Sequence, residues 1–313
     1  AVLTGTPPDG SGSPYAVDIL LGDGTDNVHQ TFGITVTDAY VVDDDGGADF
    51  TLLQNAIDAA VDGDSIYVND GTYSPINYKG KNLVIYSNTA PANTVIDGGG
   101  NVAVKVKNNA GSDVRLSGFK IMNGGGTQDA DVQAASPYAP NGYAGGGMLI
   151  LNSNFTGDNL VIEGNTASFS NKTGGSGGGL YIGKASDVSL SNVTIRNNVA
   201  EVYRGGGICI ENSNLMLDQA TITNNQGGNY GGGISAWFST LTFKGNSEVT
   251  NNSTAYKNGQ GGGLYLHESS ATFQDNTDLS GNSAEKASGR KIYGFNTILN
   301  GIANINSSNV DLD

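Results

Sequence analysis

Apolar positions in this chain come in short bursts, alternating with polar ones and separated by glycine- and asparagine-rich turns. Alternation of period two marks half-buried strands. Tyr15-Ala-Val-Asp-Ile-Leu-Leu and Gln30-Thr-Phe-Gly-Ile-Thr-Val flank a Gly22-Asp-Gly-Thr turn and predict a hairpin. Ser65-Ile-Tyr-Val, Leu83-Val-Ile-Tyr and Thr94-Val-Ile-Asp predict three more strands. Helical spacing occurs at Phe50, Leu53, Ile57 and Ala60. It predicts a helix near 50–61, with Asp49 as N-cap and Gly63 as its left-handed stop.

The strongest signal is an internal repeat. Glycine triplets followed by apolar-x-apolar begin at Gly145, Gly177, Gly205, Gly231 and Gly261, at intervals of 32, 28, 26 and 30 residues. A second strand follows each triplet (Val188-Ser-Leu, Leu215-Met-Leu, Leu241-Thr-Phe), then a third that ends in asparagine. Three short strands per unit, with no helical pattern between them, describe a solenoid coiled three strands to the turn. One coil cannot bury its own apolar face, whereas stacked coils share a continuous core. Glycine permits tight corners. Asparagine tolerates the left-handed conformation and can form ladders along the axis. Asn165, Asn197, Asn224, Asn251 and Asn282 are the expected ladder.

In the triplet strand the first and third residues should face the core. The second and fourth should face out, as the rows Leu149, Tyr181, Cys209, Ser235, Tyr265 and Leu151, Gly183, Glu211, Trp237, His267. Loops before the triplets add Tyr203, Arg204, Tyr230, Tyr256 and Lys257, and the longest, 123–144, adds Asp129, Asp131, Tyr138 and Tyr143. Aromatic rings in line with sparse charges suit sugar C–H faces and hydroxyls. Tyr181, Glu211, Trp237, Tyr265, His267, Arg204 and Tyr230 are therefore the candidate glycan-binding set. The competing expectation is that these aromatics pack beneath the overlying loops.

Composition narrows the function. The chain has 313 residues, of which 48 are glycine and 36 asparagine, and only 14% are charged. Its net charge of −15 offers no basic footprint for phosphates, which disfavours nucleic acid and anionic membranes. No apolar run approaches the ~18 residues of a membrane span. The single cysteine, Cys209, excludes an intrachain disulfide and a cysteine-based zinc site. With Ala1 first and no signal segment, a processed chain or fragment is expected.

Several segments resemble known families. Residues 3–7, 15–25 and 30–38 resemble the C-terminal part of a bacterial putative-Ig repeat, which implies a partial Ig-like domain over 1–38 completed by other strands. Phe50-Thr-Leu-Leu-Gln-Asn-Ala-Ile-Asp-Ala-Ala, Gly63-Asp-Ser-Ile-Tyr-Val, Gly71-Thr-Tyr, Gly80-Lys-Asn-Leu-Val-Ile and Thr94-Val-Ile-Asp-Gly-Gly look like the opening segment of the pectate-lyase-like right-handed parallel β-helix superfamily. The Gly-Gly-apolar and apolar-x-x-Asn pairs resemble the polymorphic outer-membrane protein repeats of bacterial adhesins and autotransporters. The implied architecture is all-β: a right-handed parallel β-helix over 39–313, with an N-terminal cap helix and a small Ig-like β fragment.

That superfamily hosts lyases, hydrolases, adhesins and spacers, so fold alone does not decide function. The pectate-lyase Asp-His and Arg-x-Pro-x-x-Arg motifs are missing. Asn276-Thr-Asp occurs and Arg290-Lys291 follows it, but the polygalacturonase Asp-Asp and Gly-His-Gly elements between them are absent, so Asn276-Thr-Asp reads as a chance match. His29 and His267 lie too far apart in sequence to suggest a pair. No cofactor is required; Ca²⁺ at Asp43, Asp44 and Asp45 is the candidate ion. The expected role is an extracellular or bacterial or archaeal cell-surface β-solenoid, structural or adhesive. Its expected partners are a polysaccharide or cell-surface glycan, and further copies joined through the Ig-like segment. The alternative is a lyase or hydrolase acting on acidic polysaccharide.

Overall fold

The computed structural model describes residues 15–22, 27–34, 39–87, 89–109, 111, 114–135, 143–168, 174–284, 292–301 and 310–312. Parallel strands stack coil upon coil into sheets of ten, seven and nine strands, a right-handed parallel β-helix. The nine-stranded sheet contains the triplet strands Met148–Leu151, Leu180–Gly183, Ile208–Glu211, Ile234–Trp237 and Leu264–His267. The ten-stranded sheet holds the second strand of each coil, the seven-stranded sheet the third. A short fourth sheet that the sequence pattern did not indicate pairs Thr166–Ala167, Val199–Ala200, Gln226–Gly227 and Ser253–Thr254. Register is unbroken along the triplet sheet: Met148 faces Leu180, Ile208 faces Ile234, and Leu264 faces Ile292.

Leu180, Ile182, Ile208, Ile210, Leu264 and Leu266 fill the shared interior as the alternation required. Phe243 and Phe273 of adjacent coils stack inside it at 4.9 Å. Helix α1 (Leu53–Ala59) sits at the N-terminal end and buries Leu53, Ala56 and Ile57. Its ends differ from expectation. The Asp49 carboxylate accepts from the Val41 N–H at 2.8 Å instead of capping the helix, whose N-cap is Leu52. The helix stops well before Gly63, and Lys81 Nζ donates to the carbonyls of Ile57, Asp58 and Ala60. A lysine at the carbonyl end does what a left-handed glycine otherwise would.

Residues Tyr15–Gly22 and Asn27–Ile34 form an antiparallel pair, with Tyr15 opposite Ile34. Residues 3–7 of the Ig-like reading lie outside the described residues, as does Tyr138.

The asparagine ladder exists, one position away from three of its five expected members. Asn197, Asn224 and Asn251 are exposed corner residues with φ of 55–56°. The buried ladder is Asn165, Asn198, Asn225, Asn252 and Asn282. Each Oδ1 from Asn198 onward accepts both the backbone N–H and the Nδ2–H of the preceding member, at 2.9–3.1 Å. Each Nδ2 also donates to a core carbonyl, as Asn225 does to Ile195 at 2.9 Å. The paired asparagines divide two tasks: the exposed one turns the corner and the buried one satisfies buried amides.

A second ladder escaped the sequence reading. Ser153, Ser186, Ser213, Ser239 and Ser269 follow the corner after the triplet strand. The backbone N–H of each of the first four donates to the next serine's Oγ at 3.0–3.3 Å. Its signal was a serine five residues beyond the first apolar position of most coils.

Length variation is confined to one segment. From the first triplet glycine to the ladder asparagine is 20 or 21 residues in every coil, as in Gly205 to Asn225 and Gly231 to Asn252. From asparagine to the next triplet it runs from 6 (Asn225 to Gly231) to 12 (Asn165 to Gly177). The triplet glycines are fixed by contact: a Cβ on Gly177, at φ 69°, would lie 2.4 Å from the Leu180 carbonyl oxygen.

The two asparagine roles separate by mutation. Asn225→Ala orphans several buried donors and acceptors at about 1–3 kcal/mol each, so a loss of at least about 3 kcal/mol is expected in chemical denaturation. Asn224→Gly should be near neutral, since Gly164 and Gly281 already hold that corner with φ of 65° and 69°.

Candidate functional site

The register places the two outward rows on one face of the triplet sheet. Tyr181 pairs with Cys209, Ser235 with Tyr265, Glu211 with Trp237, and Trp237 with His267. Loops cover this face. Bridges from Ala144 through Ser176, Arg204 and Tyr230 to Gln260 bring successive loops alongside the strands. Helix α2 (Ala130–Ala135) forms within the long loop, where no helix was expected. Its Val132 packs with Val102, Ala144, Leu149, Leu151, Tyr181 and Cys209 in a second apolar cluster. Lys107 ties it down through Asp129 at 2.8 Å and Asp131 at 2.9 Å, and Lys184 meets Asp131 at 2.6 Å. The Lys107 and Lys184 ammonium groups hold the Asp131 carboxyl at about 2.

At the centre lies a closed ionic network. Arg204 Nη1 donates to Glu211 Oε1 at 2.8 Å, and the Tyr181 hydroxyl donates to Glu211 Oε2 at 3.2 Å. The guanidinium lies 4.1 Å from the Trp237 ring centroid, a cation–π contact. Trp237 stacks on His267 at 4.1 Å, and His267 on Phe295 at 5.0 Å. Tyr230 leans on Tyr265 at 4.6 Å, and Tyr265 stacks on Tyr293 at 5.4 Å.

All seven candidate glycan residues therefore assemble, chiefly as interior packing. Tyr181 is 0% exposed, Arg204 and Glu211 3%, Tyr265 5% and Trp237 6%. Only Tyr230 and His267 are half-buried. Rings and charges lined up on the sheet face serve the loops above them, because a sparse core needs their apolar area. This corrects the expectation of a contact surface built on Tyr181, Arg204, Glu211, Trp237 and Tyr265.

Buried titratable groups here are set for structure. Burial, with Glu211 nearby, pushes the Tyr181 hydroxyl well up, and burial does the same to the Cys209 thiol. Neither ionises near neutrality, so neither is a ready nucleophile. Burial lowers His267, against the opposing pull of Glu268.

Asp43, Asp44 and Asp45 bring carboxylate oxygens within 4.8 Å of one another, close enough for a hard cation. Asp43 accepts from Asn69 Nδ2 and the Asp45 N–H, both at 3.0 Å, and Asp44 from the Thr72 N–H at 2.9 Å. These bonds tie the turn to a neighbouring coil.

No family model and no curated protein sequence matches this chain. Solved structures similar in chain path are pectin methylesterases. That of Erwinia chrysanthemi is 11% identical over 90% of this chain and 94% of that one, with a TM-score of 0.40. The carrot enzyme is 12% identical over 88% of each, at 0.38. The Yersinia enterocolitica enzyme is 13% identical over 84% and 94%, at 0.37. Such overlap assigns neither a site nor an activity.

Two outcomes follow from the network. Glu211→Gln leaves the Arg204 cation buried without its counter-charge and should cost about 3–5 kcal/mol in chemical denaturation. An Arg204→Met, Glu211→Leu double variant should recover much of it. The lowered His267 means that the unfolded chain takes up this proton first. Stability is then full above the ordinary histidine value and declines as pH falls below it. His267→Phe should flatten that decline in melting curves between about pH 8 and pH 5.

Proposed function

We propose that this chain is a non-catalytic β-solenoid that serves as a structural and adhesive element outside the cell or at its surface. The observation that supports this best is the buried Arg204–Glu211–Tyr181 network. A polysaccharide-cleaving centre needs an accessible acid, base or cation, whereas these groups are spent on one another beneath loops. His267 Nε2 stands 3.9 Å from the Glu268 carboxylate, whose side chain is exposed. Among the described residues no helix is long and apolar enough to cross a membrane.

Self-association through the N-terminal segment belongs to the same reading. Strands Tyr15–Gly22 and Asn27–Ile34 form a sheet of only two strands among the described residues. Both outer edges of such a ribbon can accept further strands, and ribbons this small are marginal alone.

The test is a turnover panel. The purified chain should release no unsaturated uronate, reducing sugar or methanol from polygalacturonate, alginate or methyl-esterified pectin, while its sedimentation coefficient should rise with concentration. Product formation above a protein-free control, or a strict monomer that binds neither cells nor glycans, overturns the reading.

A further inference from the structure

One corner of the solenoid is built unlike its neighbours. The turn from the triplet sheet to the ten-stranded sheet uses left-handed residues in successive coils: Asn108, Asn152, Lys184 with Ala185, Asn212, Phe238, Glu268 and Asn296, with φ between 46° and 59°; among them Phe238 is the aromatic one. Asparagine reaches this conformation at little cost, and an aromatic side chain does not. Phe238 nonetheless adopts it with φ 52°, and the residue stays 40% exposed. The strain therefore secures no full burial. Residues held in such conformations concentrate where function requires them.

The ring forms one wall of a groove of about 350 Å³, lined otherwise by Ala185, Ser186, Asn212, Ser213 and Asn214. His267 meets the ring edge-on at 5.6 Å and braces it from the next coil. Polar groups lie ready beside it. Two coils earlier along the corner, Asn152 Nδ2 donates to Asn108 Oδ1 at 3.0 Å. Asn212 has Ala185 on one side and Phe238 on the other, so that pairing is broken. The Asn212 and Asn214 side-chain amides, both exposed, make no hydrogen bond to a described residue. Ser186 and Ser213 form a buried floor whose hydroxyls each accept the preceding ladder serine's N–H and donate to a backbone carbonyl, of Gly183 and Glu211 respectively.

An exposed ring flanked by two uncommitted amides has the chemistry to hold a sugar. The C–H face of a pyranose stacks on the ring, and each amide both donates to and accepts from hydroxyls. Charge decides the class. Lys184, the cation next to Ala185 in sequence, is paired with Asp131 at 2.6 Å. With a net charge of −15 over the chain, a uronate gains nothing here. We propose that the corner beside Phe238 is a binding site for neutral pyranosides, separate from the covered sheet face. This deepens the adhesive reading and rests on it for the choice of a carbohydrate ligand.

The test uses the full chain with cello-, manno-, xylo- and chito-oligosaccharides as neutral probes and oligogalacturonate as the acidic one, read by calorimetry. The intact chain should bind at least one neutral probe and bind the acidic probe more weakly. Phe238→Asn installs the residue that other corners carry, so it should raise the melting temperature while weakening binding at least tenfold. Asn214→Ala should weaken binding several-fold without moving the melting temperature. Failure of every neutral probe to bind, undiminished binding by Phe238→Asn, a lower melting temperature for that variant, or preference for the acidic probe each overturns the proposal. Such failures leave the non-catalytic reading standing, since that reading falls by polysaccharide turnover, or by a strict monomer that binds neither cells nor glycans.

Discussion

The structure depends on the satisfaction of buried amides from one coil to the next. A coil of roughly thirty residues cannot close its own hydrogen bonds or bury its own apolar face. Backbone ladders serve the straight segments, but at corners the strands separate and interior N–H groups lose their partners. The Asn165–Asn198–Asn225–Asn252–Asn282 and Ser153–Ser186–Ser213–Ser239–Ser269 rows supply the missing acceptors. An orphaned buried donor is costly, so these rows fix the register as firmly as the hydrophobic interior does.

On the outside the same economy governs the triplet face. With few charged residues and a slender core, the protein spends its aromatic side chains on holding loops against the sheet. The Arg204–Glu211 pair is buried with them, where the carboxylate takes both a guanidinium and a phenol hydroxyl. Loss of either partner strands a charge in an apolar setting. Groups that would be reactive in solvent are here part of the seal between loop and sheet. The exposed chemistry moves to the corner, where Phe238 replaces asparagine.

Much of this was legible in residue order. The glycine triplets and period-two bursts placed the strands, their pairing and their inward faces, because a solenoid repeats its constraints. Tandem asparagines such as Asn224-Asn225 showed that a ladder existed, but not which member was buried. Both types tolerate a left-handed corner, and only the direction of the chain entering the turn decides. Helix α2 escaped notice because it forms on the outside, held by Lys107 and Lys184 from other coils. Burial of Tyr181 and Glu211 escaped notice for a related reason: facing away from one core says nothing about a second layer supplied by loops.

The constant stretch from triplet to ladder asparagine, beside the variable stretch that follows it, has an evolutionary and practical consequence. Residues can be added or removed between Asn165 and Gly177, or between Asn225 and Gly231, without shifting any interior position against its neighbours. Diversification of the outer surface is thereby uncoupled from folding, and a foreign peptide grafted at such a joint would ride on an undisturbed shaft.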